Sequence, residues 1–162
     1  WPEIIRLVRD YGMDDVVFLN TIWESERAKL MEMKDVTEGL VATKVWNDDT
    51  IKPAGPTMES LGTICKEVYP NFSGYVRDGF LDAWMSAMMA TKAFEIVIDA
   101  GKEVNGDNLA EALRSVKDWD TGGIVDSPVT ITNQQIGLAR LVTYSEANNW
   151  DLKDLSGWMK VT

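Results

Sequence analysis

The sequence of 162 residues has no histidine, one cysteine, and no apolar run long enough to cross a bilayer. Without histidine it cannot build a Ser-His-Asp or Cys-His nucleophile, an HExxH zinc site or any His-ligated metal centre. Cys65 stands alone, which excludes an intrachain disulfide and leaves the redox compartment unread. Its apolar helical register and the missing histidine base mark it as a small packed hydrophobe rather than a reactive thiol. A spanning helix needs about 20 predominantly apolar residues, and even the Met-rich stretch from Phe80 to Ile98 carries Asp82, Lys92 and Glu95. The phosphate-binding patterns GxGxxG and GxxxxGK[ST] are absent too. Gly122-Gly123 therefore reads only as a turn.

Basic residues are the minority, 16 against 26 acidic, and the formal net charge is −10. Nucleic acids and anionic membranes are bound through clustered Lys and Arg, so neither is expected as a partner. Carboxylate pairs that general acid–base chemistry would use do occur, at Asp14-Asp15, Asp48-Asp49 and Glu24 with Glu26. Each lies among polar, capping or linker residues and reads as solvated rather than as a desolvated group of shifted pKa. No catalytic residue, metal ligand or cofactor is assigned on these grounds. An α/β enzyme with a carboxylate-based site is the alternative from a different class. The opening Trp1-Pro2-Glu3-Ile4-Ile5-Arg6 has no basic n-region, apolar h-region or cleavage site of a signal peptide.

What is present is a globular composition, 45% hydrophobic and 26% charged, patterned as an α/β protein. Ile4, Ile5, Leu7, Val8 and Tyr11 recur at helical spacing before Gly12, a natural C′ stop. Val16-Val17-Phe18-Leu19 is a continuous apolar run, expected as a parallel strand buried on both faces. Helix formers from Glu24 to Met33 lead to a second strand, Gly39 to Trp46. The polar segment Asn47 to Pro56 lacks periodicity and reads as a crossing between lobes.

Beyond it, Met58, Leu61, Cys65 and Val68 share a helical stripe that ends before Pro70. A long helix follows, roughly Tyr75 to Ala100, with Phe80, Trp84, Met88 and Leu81, Met85, Met89 in adjacent rows and most faces expected buried. Asn105 caps a shorter helix carrying Leu109, Leu113 and Val116. Thr121-Gly122-Gly123 turns the chain, and strands are expected at Val129 to Thr132 and Leu141 to Tyr144, with a second crossing near Gln134 to Gly137. Trp150 and Trp158 fall in the tail.

Taken in order, Phe18-Leu19-Asn20-Thr21, Thr37-Glu38-Gly39-Leu40-Val41, Ala100-Gly101, Ala112-Leu113, Asp120-Thr121-Gly122-Gly123-Ile124 and Pro128-Val129-Thr130 resemble the C-terminal half of the branched-chain amino-acid ABC-transporter substrate-binding proteins. These are type I periplasmic binding proteins. The resemblance implies parts of two Rossmann-like α/β lobes with parallel sheets flanked by helices. Residues 1–46 would end the second lobe, 47–137 would return to the first, and 138–162 would form the final crossing and C-terminal strand or tail. Function follows as an expectation: a small partly apolar ligand held in an interlobe cleft and handed to the ABC permease membrane subunits.

A ligand-sensing domain of a regulator or receptor has the same fold and is the alternative. The resemblance also implies a periplasmic location, or an extracytoplasmic lipid-anchored one in a Gram-positive cell, and a missing N-terminal half. Its site loop corresponds to Asn20, Thr21, Ile22 and Trp23, with Tyr75 as an aromatic from the other lobe. Amino-acid-binding relatives carry an acidic residue near Ile22 to pair with the ligand ammonium. Here Ile22 departs from that pattern, although Glu24 is close. An aromatic or aliphatic carboxylate becomes the expected ligand beside branched-chain amino acids.

Overall fold

The computed structural model describes residues 2–20, 30, 32–131, 138–149, 152–157 and 159–160. Several expectations fall outside them: Thr21, Ile22 and Trp23, most of the helix Glu24 to Met33, Thr132, the crossing at Gln134 to Gly137, Trp150 and Trp158. The chain divides into two compact units, Trp1–Val45 with Ala139–Met159, and Trp46–Leu138 with Lys160–Thr162.

In the first unit, α1 (Pro2–Asp10) begins on proline, whose fixed φ suits a helix start. It ends at Gly12, which has φ +73°. The Gly12 amide donates to the Arg9 carbonyl and the Met13 amide to the Val8 carbonyl, the two bonds of a Schellman ending. Past that turn the Arg9 guanidinium donates to the carbonyls of Met13, Asp14 and Val16 and lies 5.6 Å from the centre of the Phe18 ring. One side chain thus ties the helix end to the strand that follows.

That strand, β1 (Leu19–Asn20), pairs in parallel with β2 (Val41–Lys44), and the short helix α2 (Lys34–Thr37) precedes β2. Ile5, Leu30, Val36, Leu40, Ala42, Val142 and Tyr144 form the core, with Phe18 and Met33 against it. The expectation that Val16 to Leu19 is buried on both faces is corrected. Val17 is 69% exposed and Leu19 67%, while Phe18 packs inward. Strand side chains alternate, so Val17 and Leu19 share the face opposite Phe18, and among the described residues that face is left exposed.

The rest of this sheet comes from the far end of the sequence. Here β3 (Leu138–Tyr144) runs antiparallel to β2, β4 (Leu152–Asp154) runs antiparallel to β3, and β5 (Met159–Lys160) also pairs with β3. The sheet is therefore mixed, parallel at β1–β2 and antiparallel at β2–β3 and β3–β4.

The second unit contains α3 (Pro56–Val68), α4 (Asp78–Asp99) and α5 (Gly106–Ser115). Met58, Leu61 and Cys65 are buried on α3, whereas Val68 of the same stripe is exposed. On α4 the buried row is Leu81, Met85, Ala93 and Val97. Burial of most of its faces is corrected as well: Phe94 is 43% and Ile98 62% exposed. The Asn105 side chain accepts from the Asn108 amide at 3.0 Å, capping α5 as its sequence predicts. Ala93, Val97 and Ala112 then join α4 to α5, with Ile96, Leu109 and Leu113 around them.

Among the described residues, strand pairing in this unit is confined to two isolated bridges, Asp49 with Tyr75 and Trp119 with Val129. Val129 and Ile131 are buried, as a strand there would require, but Val129 pairs only at that bridge.

Candidate functional site

Asn20 is the last described residue of β1 and lies towards the carboxyl end of a parallel strand, the end at which open α/β sheets take ligands. Tyr75 belongs to the second unit, where the segment after β2 holds it. The polar run from Asn47 was expected as a solvated crossing. Instead Asn47, Asp48 and Thr50 are buried, because their backbone and side-chain groups are bonded inside the unit.

The Val76 amide donates to the Asp48 carbonyl at 2.8 Å, and both the Thr50 amide and hydroxyl donate to the Gly74 carbonyl, at 2.8 and 2.9 Å. Asp49 accepts from the amides of Ile51 and Lys52, closing an Asx turn. Gly74 adopts φ +92° under the Ile51 side chain, so no larger residue fits beneath it. Tyr75 is clamped between these contacts.

Half-buried, Tyr75 borders a cavity of about 480 Å³, which Tyr69, Phe72 and Phe80 line with aromatic surface and Asn71, Ser73 and Arg77 with polar groups. That size lies within the roughly 300–1,000 Å³ of small-molecule sites. Of these residues the sequence singled out Tyr75 alone as a contact. The signal for the others was the Pro70 to Gly74 break between two helices, where aromatic and polar side chains cluster without periodicity. Cys65 also reaches this cavity, and burial pushes its thiol pKa up, so it is a poor nucleophile there.

The Gly122-Gly123 turn is more than a turn. Gly122 has φ +66° against Thr57, and Gly123 has φ +93° against Ala54 and Gly55. A Cβ on Gly123 would lie 2.6 Å from the Ala54 carbonyl carbon. The Gly122 carbonyl accepts from the Thr57 amide at 2.8 Å, which satisfies a donor at the start of α3. Asn47 completes the knot. Its Nδ2 donates to the Gly123 carbonyl at 2.9 Å and to Asp126 at 2.6 Å, and its amide donates to the Ile124 carbonyl.

Of the expected site residues, then, Asn20 ends a strand of the first unit, Tyr75 lines a cavity of the second, and Thr21, Ile22 and Trp23 lie outside the described residues.

No protein-family model and no curated protein matches this sequence. Solved structures do. A leucine-binding protein from Thermotoga maritima is 14% identical, with a TM-score of 0.68 over 98% of this chain and 41% of its own. A branched-chain amino-acid ABC transporter protein from Thermus thermophilus, solved with bound valine, is 10% identical, with a TM-score of 0.76 over 98% of this chain and 43% of its own. A fatty-acid ABC transporter substrate-binding protein from Thermomonospora curvata is 15% identical, with a TM-score of 0.67 over 98% and 40%. The chain spans about two fifths of the length of each. Its fold is the α/β fold of the type I periplasmic binding proteins that serve ABC transporters.

Proposed function

We propose that the protein carrying this chain is the extracytoplasmic solute-binding component of an ABC importer, periplasmic or lipid-anchored, which passes a small partly apolar ligand to the permease without making or breaking a bond. The observation that carries this reading is the superposition of 98% of the chain on substrate-binding proteins of such transporters. On this reading residues 1–46 end one lobe, 47–137 belong to the other, 138–162 form the last crossing and tail, and the remaining half of the protein supplies most of the site. Among the described residues no helix is long and apolar enough to cross a membrane.

The ligand class follows from charge. Asn20, Thr21, Ile22, Trp23 and Tyr75 are the proposed contacts, and none of them carries a charge to pair with an ammonium. A buried unpaired ammonium costs several kcal/mol, whereas an apolar ring or chain placed against such residues gains roughly 25 cal/mol per Å². An aromatic or aliphatic carboxylate is therefore favoured over a free branched-chain amino acid. The test is calorimetric titration of the full-length protein with benzoate and with leucine, followed by mass spectrometry of the recovered ligand. Binding of benzoate, returned unchanged, is expected. Conversion of the ligand would sink the carrier reading, and tight leucine binding alone would sink the ligand assignment and implicate Glu24 or the other half of the site.

A further inference from the structure

A carboxylate ligand needs a partner that Asn20, Thr21, Ile22, Trp23 and Tyr75 do not supply. None of the five is charged, so they disfavour an ammonium but offer a carboxylate no counter-charge either. A carboxylate taken out of water needs a counter-charge or several donors at once. The chain's net charge of −10 adds to the cost, because its overall field repels an anion.

The cavity beside Tyr75 holds such a partner. Among the described residues that line it, Arg77 is the one with a formal charge. It is exposed, so its guanidinium stays hydrated until a ligand covers it. The rest of the lining is aromatic, apolar or small and polar, a surround in which Coulomb attraction counts for more than in open water.

Backbone geometry places Arg77 beside Tyr75. Arg77 is extended, with φ −67° and ψ 143°, at the N-cap of α4, and the intervening Val76 is 4% exposed. Side chains alternate along extended backbone, so Val76 turns into the core while Tyr75 and Arg77 flank it on the other side. The segment is pinned at both ends. The Val76 amide donates to the Asp48 carbonyl, and the Arg77 carbonyl accepts from the amides of Phe80 and Leu81 at 3.0 and 3.1 Å. Phe80 adds a second aromatic wall, itself stacked on Trp84 with ring centres 6.0 Å apart. Ring surface and one cation thus meet on a fixed backbone.

We propose that Arg77 is the carboxylate partner of the ligand, its guanidinium fork taking both oxygens while the ring or chain of the acid lies against Tyr75 and Phe80. A guanidinium has five N–H donors, so two can serve the ligand while others keep bonds within the protein. The proposal rests on the reading of the protein as a carboxylate carrier.

Calorimetric titration of the full-length protein with benzoate and with neutral benzamide, repeated on Arg77→Met and Arg77→Lys, tests it. Arg77→Met should weaken benzoate binding by roughly 10-fold to 100-fold and change benzamide binding by less than about 3-fold. Arg77→Lys keeps the charge without the fork and should recover part of the loss. Added salt should weaken benzoate binding to the unmodified protein but not to Arg77→Met. The bonds that fix this segment are backbone bonds, so the thermal midpoint of either variant without ligand should move little. Benzoate binding unchanged in Arg77→Met would overturn the proposal and leave the carrier reading standing. Equal losses for benzoate and benzamide would overturn it too, since Arg77 would then shape the cavity rather than answer a charge. An unmodified protein that binds leucine and not benzoate would remove the carboxylate reading and this proposal with it.

Discussion

Lys44 and Arg140 face each other directly across the β2–β3 ladder, and both are buried, at 0% and 8% exposure. Like charges opposite one another destabilise a sheet, and buried charges require compensation. Asp154, on the next strand, brings its Oδ2 to 3.3 Å from the Arg140 Nη1. Its side chain is half exposed, so solvent screens the pair and only part of its Coulomb energy counts. Asp154→Asn is expected to lower stability by about 1 kcal/mol in urea unfolding, and by less at high salt. A loss independent of salt would show that packing, not charge, holds Asp154 in place.

Two glycines of similar φ should respond differently to alanine. Gly12 has open space around the missing Cβ, so Gly12→Ala carries only the left-handed backbone penalty, about 1 kcal/mol. Gly123→Ala adds a collision with the backbone of Ala54 and Gly55 and should cost more than about 3 kcal/mol. Equal losses in thermal melts of the two variants would refute the close approach at Gly123.

The Cys65 thiol should label slowly in the native protein and quickly in denaturant. Burial raises its pKa above the ordinary 9.0, so the neutral thiol is the form that folding favours. The sign follows: its contribution to stability is complete below about pH 9 and is lost as pH rises through the folded-state value. Thiol labelling across a pH series, with and without urea, measures both effects. Fast native labelling near pH 8 would contradict the burial.

Tyr75→Ala should weaken ligand binding by roughly 10-fold to 100-fold, the effect of removing one aromatic wall. Asp49 and Gly74 hold the adjacent backbone whatever the side chain, so the thermal midpoint without ligand should move little. An unchanged dissociation constant, measured by calorimetry with benzoate, would remove Tyr75 from the site.

Expressed alone, the chain should self-associate through apolar surface such as Phe94 and Ile98, which lie one turn apart on α4. Ile98→Lys should shift sedimentation towards monomer. A monomeric unmodified chain would show that this surface is too small to drive association.

The helices and caps were legible because their signals are local. Gly12 and Gly101 end helices where left-handed backbone is needed, and Asn105 caps α5 through its own side chain. Ordered short motifs also led to the fold, since each records a local turn or close contact. The Tyr75 cavity was legible only in part. Its lining comes from a loop and two helix ends, brought together by bonds from Asp48 and Thr50 that no periodicity announces.

By itself the sequence determined the helix ends marked by Gly12, Pro70, Gly101 and Asn105, that no histidine chemistry is possible, and that Cys65 packs, since these follow from residue type and spacing along a few turns. Only the tertiary structure decided that Asn47, Asp48 and Thr50 of the polar run are buried, that Gly122-Gly123 serves close approach to Gly55 and Thr57, and that Val17 and Leu19 are exposed rather than buried. The physical reason is distance along the chain. Asn47 meets Gly123 and Asp126, and β2 meets β3, across most of a hundred residues. Burial at such contacts depends on which partner arrives, and a local pattern holds no record of that.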